Sequence, residues 1–193
     1  MSLRWGFKAE AERIAAEIRC ELSLTPTCRL RAEVLARHLG IPVFTIRDCM
    51  KVGNGGNDFA CLIHDADSGF SALTVFVGTR RVIVHNESHA PTRQANNIVH
   101  EISHCLLEHP AGPVADAIGC RRWNEEFEDE ANWLSGALLV PRDGALSLVL
   151  SGSSVEDIAE NFGVSQHLCR WRINRTGVAQ QVHARSRWLR RTG

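Results

Sequence analysis

Residues 91–107 carry a helical pattern in which ionisable side chains are enclosed by apolar ones. Ser88 to Pro91 supplies capping residues and a proline at the helix start, and Pro110 lies just beyond the helix end. The enclosing apolar residues are Ile98, Val99, Ile102, Cys105 and Leu106. We therefore expect this helix to be largely buried, so that its polar side chains need partners inside the fold.

The composition is that of a soluble protein with a real core, since 44% of the 193 residues are hydrophobic and 23% are charged. Lys and Arg number 22 and Asp and Glu number 22, so the chain is not a basic nucleic-acid coat. No apolar run approaches the roughly 20 residues that span a bilayer, and the first residues lack the apolar core of a signal peptide. We expect a cytoplasmic protein that binds no membrane, with its seven cysteines reduced.

Hydrophobic periodicity predicts helices that alternate with short strands. Besides the helix at 91–107, we predict helices at 7–22, 29–39 and 123–140, a short helix after Gly144 and a helical pair that ends near residue 175. Strands are predicted at 41–46, 59–64, 72–77 and 81–85, with a loop at 52–58 and a hairpin turn at 78–80. This order indicates an α+β fold in which helices pack on a small, mostly antiparallel sheet. We expect a main domain at 1–145 and a helical extension at 146–193, packed on the same core and ending in an Arg-rich tail.

The centre of the helix at 91–107 is a pentapeptide with the sequence His-Glu-Ile-Ser-His. A spacing of four places His100 and His104 one turn apart on the same helix face, where both can bind one ion. Glu101 lies about 100° further around the axis, beside the ion, where a general base stands to activate water. Zinc suits imidazole and carboxylate ligands that leave a fourth position open.

A third ligand is expected from the acidic start of the helix at 123–140. The predicted buried stripe of that helix consists of Phe127, Ala131, Leu134 and Leu138. Measured from Phe127, Glu128 lies at about +100° and Glu130 at about −60°, so both border the buried side. Helical geometry therefore leaves Glu128 and Glu130 as alternatives.

The order of motifs resembles the ImmA/IrrE family of small bacterial metallopeptidases over residues 7–175. The matching pieces are a strand ending in Asn86, an Arg93-led helix into His100-Glu101-x-x-His104, then Glu128-x-Glu130-Ala131-Asn132 and Leu138-Leu139-Val140-Pro141. The chain departs from the family at Val99, where Ala is frequent, and at Trp133-Leu134-Ser135-Gly136, where Phe-Ala commonly follows the Asn. Neither change touches a proposed ligand.

The resemblance implies a zincin-like metallopeptidase domain at 1–145. It also implies that Zn²⁺ is held by His100, His104 and Glu128, the last because the family's third ligand lies four residues before the Asn. Glu101 would then be the general base. The chain contains no Tyr, so a His (His85, His89 or His109), an Arg, the metal or backbone N–H groups must stabilise an oxyanion. The sequence selects none of them.

Residues 155–165 have the pattern of a helix-turn-helix, in which Ala159 permits close helix contact, Gly163 makes the turn and Ser165 caps the next helix. The arginines of that region are Arg170, Arg172 and Arg175. Such a segment could meet phosphates, although direct DNA contact is not favoured because apolar residues alternate with the arginines.

The resemblance implies that the substrate is a helix-turn-helix repressor, cut in stress response or mobile-element control. In similar proteins a Phe-Gly-Val-Ser segment helps to recognise the DNA-binding partner. One alternative is a non-catalytic, metal-stabilised regulator that binds DNA or a repressor through residues 151–175. Another is a zinc ion with a purely structural role.

Overall fold

The computed structural model describes residues 3–52, 71–77, 79–110 and 124–182, within two compact units. The first unit consists of residues 1–3 and 31–132, and the second of residues 4–30 and 133–193. The extension predicted to begin at residue 146 stays a prediction, and helix Arg142–Leu150 runs through that position.

Except for α3, which was not predicted, the helices lie close to their predicted positions. They are α1 (Phe7–Glu21), α2 (Ala32–His38), α3 (Ile46–Val52), α4 (Pro91–Leu106), α5 (Glu125–Leu139), α6 (Arg142–Leu150), α7 (Val155–Phe162) and α8 (Gln166–Arg175). The strands are β1 (Val43–Thr45), β2 (Ala72–Val77) and β3 (Arg80–His85). The α+β class is therefore confirmed.

The strands of the described residues form one mixed sheet in the order β1-β3-β2. The two strands β2 and β3 pair antiparallel, with Val77 opposite Arg80, as the predicted hairpin requires. Strand β1 instead runs parallel to β3, with Val43 opposite Ile83. This parallel pairing makes the sheet mixed, while the longer ladder, between β2 and β3, is antiparallel as predicted. The predicted strand at 59–64 lies outside the described residues, as does all of the predicted loop except Val52.

Helix α3 was not predicted, and it begins inside the strand expected at 41–46. The side chains of Thr45 and Asp48 form a capping box: the N–H of Asp48 donates to Thr45 Oγ1 at 3.0 Å, and the N–H of Thr45 donates to Asp48 Oδ2 at 3.2 Å. Because this pair satisfies backbone donors at a helix start, the strand ends at Thr45 and Ile46 enters the helix.

Helix α4 contacts both β2 and β3 and is buried along its apolar side, as predicted. Pro91 is its first residue, but no side chain caps it. Ser88 was expected to contribute to a cap, and its hydroxyl instead donates to Asn86 Oδ1 at 2.7 Å. The core of this unit includes Ile83, Val84, Ile98, Val99 and Ile102.

In the second unit, α7 and α8 form the predicted helix-turn-helix-like pair. Ser154 begins α7 with a capping box to Asp157, and Gly163 makes the turn with a φ of 67°. Ser165 caps α8 by accepting a hydrogen bond from the N–H of Leu168. The predicted turn and second cap are thus confirmed.

Arg172, one of the arginines of the segment that could meet phosphates, is a core residue. Its side chain is fully buried, its Nε donates to the carbonyl oxygen of Val140 at 3.0 Å, and its Nη2 pairs with Glu12. A buried guanidinium needs such partners because an unpaired buried charge is strongly destabilising. Arg170 and Arg175 are exposed.

Gly144 lies within α6 rather than before it. A Cβ at this position would collide with the backbone of Pro26, so the close approach of two chain segments requires glycine here. Across the described ranges, no single helix is both long and apolar enough to cross a membrane. Helices α5 and α6, bent by 48°, pass that test only as a pair, by length and composition alone.

Candidate metal centre

Two histidines of α4 and one glutamate of α5 bring their ligand atoms together. His100 Nε2 lies 3.1 Å from His104 Nε2 and 3.1 Å from Glu128 Oε2. His104 Nε2 lies 3.6 Å from the same carboxylate oxygen. Within the part of the chain that the structure describes, this is the one group of three such residues close enough to hold a metal ion.

These distances fit three ligands of a tetrahedrally coordinated cation. With metal–ligand bonds of about 2.0–2.1 Å, tetrahedral ligand atoms lie about 3.3 Å apart, close to the 3.1–3.6 Å observed here. Two imidazole nitrogens and a carboxylate oxygen that face one another have too few protons to satisfy every lone pair. A shared cation satisfies all three, and the residues present therefore fit a divalent metal.

The electrostatics of the site keep Glu128 ionised. Burial alone would raise the pKa of the Glu128 carboxyl, but hydrogen bonds from His100 and His104 and the electrostatic attraction of both imidazoles together hold that pKa well below its usual range. An ionised carboxylate is the form that binds a metal.

Glu101 is buried beside the ligand group without belonging to it. Its Oε2 accepts a hydrogen bond of 2.7 Å from Thr74 Oγ1, on the strand β2 that contacts α4. This bond restrains the orientation of the Glu101 carboxylate. Sequence reasoning missed Thr74, because a strand pattern does not show which of its residues faces a particular helix residue.

The structure separates the two glutamates that helical geometry left as alternatives. Glu128 joins the histidine pair, whereas Glu130 Oε2 lies 3.2 Å from His109 Nε2. His109 Nδ1 in turn lies 2.9 Å from His104 Nδ1. Burial lowers the pKa of the His109 imidazole more than its hydrogen bond to Glu130 raises it.

Of the three histidines considered as oxyanion stabilisers, only His109 contacts a member of the ligand group. Among the described contacts, neither His85 nor His89 forms a hydrogen bond with that group. His85 ends strand β3 and is buried, and burial lowers its pKa. Among the described hydrogen bonds, the ligand group is thus linked to His109 alone of these three.

Helix α4 presents two histidines one turn apart with a buried glutamate between them, and the next described helix adds a carboxylate. This group could hold a metal ion, and its residue types and spacing are those of the metal sites of metallopeptidases. The family model described as the IrrE N-terminal-like domain of peptidase family M78 matches residues 36–174. Because the match covers well over half of the chain, the chain belongs to this peptidase family, and the resemblance to ImmA/IrrE proteins is confirmed. No curated protein and no solved structure matches the chain.

Proposed function

We propose that this protein is a zinc-dependent metalloendopeptidase that cuts a helix-turn-helix repressor in the bacterial cytoplasm. The cut would release stress-response or mobile-element genes. The observation that carries the proposal is the convergence of His100 Nε2, His104 Nε2 and Glu128 Oε2 within 3.1–3.6 Å of one another, beside the buried Glu101. Membership of a peptidase family supports hydrolysis, and nitrogen and oxygen ligands without sulfur suit catalytic zinc.

Each residue of the site has a distinct task in this proposal. His100, His104 and Glu128 would hold Zn²⁺, and the bound ion would supply the Lewis acidity that polarises a peptide carbonyl and makes water a nucleophile at neutral pH. Glu101 takes a proton from the attacking water and passes it to the leaving amine. Thr74 donates to Glu101 Oε2 and so orients the carboxylate that exchanges this proton.

The proposed substrate rests on the resemblance to ImmA/IrrE proteins. Residues 162–165 have the sequence Phe-Gly-Val-Ser and form the turn between α7 and α8, like the segment that helps those proteins to recognise a DNA-binding partner. A repressor bound to bacterial DNA lies in the cytoplasm, which is why we place the activity there. A regulator that instead binds DNA through residues 151–175 has fewer free cations than the sequence suggested, since Arg172 is buried.

Co-expression with the repressor encoded nearest to its gene tests the proposal. We expect mass spectrometry to find repressor fragments from one defined cut. With the purified pair, a chelator is expected to stop the cleavage and added Zn²⁺ to restore it, while Mg²⁺ does not. An intact repressor after incubation with the zinc-loaded protein would contradict the proposed substrate.

The same chelator treatment separates catalytic from structural zinc. A catalytic ion is expected to leave the fold largely intact when it is removed, because the first unit has its own apolar core. Thermal melts with and without chelator are therefore expected to show only modest destabilisation. Unfolding of the metal-free protein at the growth temperature would favour a structural zinc instead.

A further prediction concerns the hydrogen bond between Thr74 and Glu101. Thr74→Val keeps the shape of the side chain but loses the hydroxyl donor, so the Glu101 carboxylate is less well oriented. We expect kcat for repressor cleavage to fall about tenfold while zinc stoichiometry is unchanged. Thr79→Val, an exposed turn residue of the same unit, is the matched control. Equal kcat values for the two variants would show that Thr74 does not position Glu101.

A further inference from the structure

His109 and Glu130 form a buried pair directly behind one of the proposed ligands. Both residues are less than one-tenth exposed, at 6% and 8%. His109 Nδ1 lies 2.9 Å from His104 Nδ1, and His109 Nε2 lies 3.2 Å from Glu130 Oε2. The nitrogen of His104 that does not face the ligand group is thus linked to a carboxylate through a second imidazole.

The protons in this series of hydrogen bonds can be placed because each ring nitrogen either carries a proton or accepts one. If His104 offers the lone pair of Nε2 to the metal, its proton must be on Nδ1. That proton is donated to His109 Nδ1, which must then be unprotonated. A neutral His109 therefore carries its own proton on Nε2 and donates it to Glu130. Every donor then has an acceptor, and only one tautomer of each histidine is compatible with these hydrogen bonds.

The end of α4 places His109 behind His104. Leu107 is the C-cap of the helix, and Glu108 follows in the left-handed conformation with a φ of 54°. The N–H of Glu108 donates to the carbonyl oxygen of Cys105 at 3.2 Å and that of His109 donates to the carbonyl oxygen of His104 at 3.0 Å. These two bonds form a Schellman motif, in which glycine is usual at the position of Glu108. The chain accepts an unfavourable conformation at Glu108 and thereby returns His109 towards the site.

Helix α5 holds the other side of the His109 ring. Phe127 stacks on that ring with the centroids 4.4 Å apart and an angle of 20° between the planes. Glu130 accepts from its Nε2, and Glu128 on the same helix belongs to the ligand group. One helix therefore supplies both the third ligand and the support of the second ligand.

We propose that His109 and Glu130 are positioning residues that fix the tautomer and orientation of His104 and so strengthen metal binding. The proposal rests on the proposed function, because it requires His104 to be a metal ligand. A hydrogen bond from the outer nitrogen of a ligating histidine orients the ring and makes it a better ligand. In this chain the outer partner is a second histidine, itself held by a carboxylate.

The test compares metal binding by matched variants of the full chain. His109→Phe keeps a flat ring against Phe127 but loses both hydrogen bonds, and His109→Gln retains an amide that can accept and donate. Glu130→Gln removes the charge of the carboxylate. Glu126→Gln makes the same chemical change at an exposed position of α5 and serves as the control.

We expect the dissociation constant for Zn²⁺, measured by competition with a chromophoric chelator, to rise 10- to 100-fold in His109→Phe and about tenfold in Glu130→Gln. His109→Gln is expected to recover most of the loss, and Glu126→Gln to match the wild type. With Co²⁺ in place of Zn²⁺, the visible bands of His109→Phe are expected to shift, because they report coordination geometry.

The outcomes distinguish this proposal from the proposed function. Suppose that the wild type binds Zn²⁺ and that His109→Phe and Glu130→Gln bind it equally well, with unchanged Co²⁺ spectra. The positioning role is then wrong, and the proposed metal site stands. If the wild type binds neither ion, both proposals are wrong. Circular dichroism identifies any variant that is not folded. If His109→Phe does not fold, Glu130→Gln still tests whether the His109–Glu130 pair positions His104.

Discussion

Glu101→Gln is expected to lower the rate of repressor cleavage about 10³-fold while the protein still binds one metal ion. The amide has nearly the size of the carboxylate and can still accept the hydrogen bond of Thr74. It cannot take a proton from water at neutral pH, so the nucleophile is no longer activated. The metal stays because Glu101 does not belong to the group formed by His100, His104 and Glu128. Single-turnover cleavage and metal analysis of the same preparation measure both quantities.

The control for this variant is Glu126→Gln. It makes the same acid-to-amide change at an exposed position of α5. We expect it to cleave the repressor at nearly the wild-type rate. Cleavage by Glu101→Gln at the wild-type rate would refute the role of general base, and with it the enzymatic function as proposed.

The second large effect is expected for Glu128→Ala. Removal of one of three ligands should weaken zinc binding by more than about 100-fold, the upper end of what loss of a partner outside the ligand set costs. Dialysis against micromolar Zn²⁺ should then leave this variant largely metal-free, while the wild type retains one ion per chain.

Glu130→Ala is the paired comparison on the same helix. Because Glu130 contacts His109 rather than the ligand group, this variant should still take up one ion per chain when zinc is saturating. Full occupancy of Glu128→Ala, together with loss of zinc from Glu130→Ala, would transfer the third ligand position to Glu130.

The sequence was sufficient for the parts of the site that depend on local geometry. The two histidines are one turn apart in any α-helix, and a long apolar pattern with a proline at its start made α4 predictable. The α+β class followed from the order of helices and strands. These features depend on residues close together in the chain.

The choice between Glu128 and Glu130 depended on tertiary structure. Both residues border the buried side of α5 at angles that helical periodicity cannot rank. What separates them is His109, which contacts Glu130, and the position of His109 depends on a left-handed residue at Glu108. A glycine there would have indicated the turn, whereas a glutamate gives no such signal.

Single buried side chains were predicted least well. Arg172 has the sequence context of a surface cation, since it lies between other arginines near the end of the chain. Its burial follows from a contact with Glu12, which is distant in sequence. Periodicity could not reveal that pairing, and a count of arginines overestimates the charge available to a nucleic acid.

The central claim is that one cation is bound jointly by His100, His104 and Glu128. A crystal structure of the zinc-loaded protein, with anomalous diffraction recorded at the zinc absorption edge, tests it most directly. We predict one strong anomalous peak about 2.0–2.2 Å from His100 Nε2, His104 Nε2 and Glu128 Oε2. A zinc-loaded crystal with no peak at this position, or with zinc bound by other residues, would contradict the account.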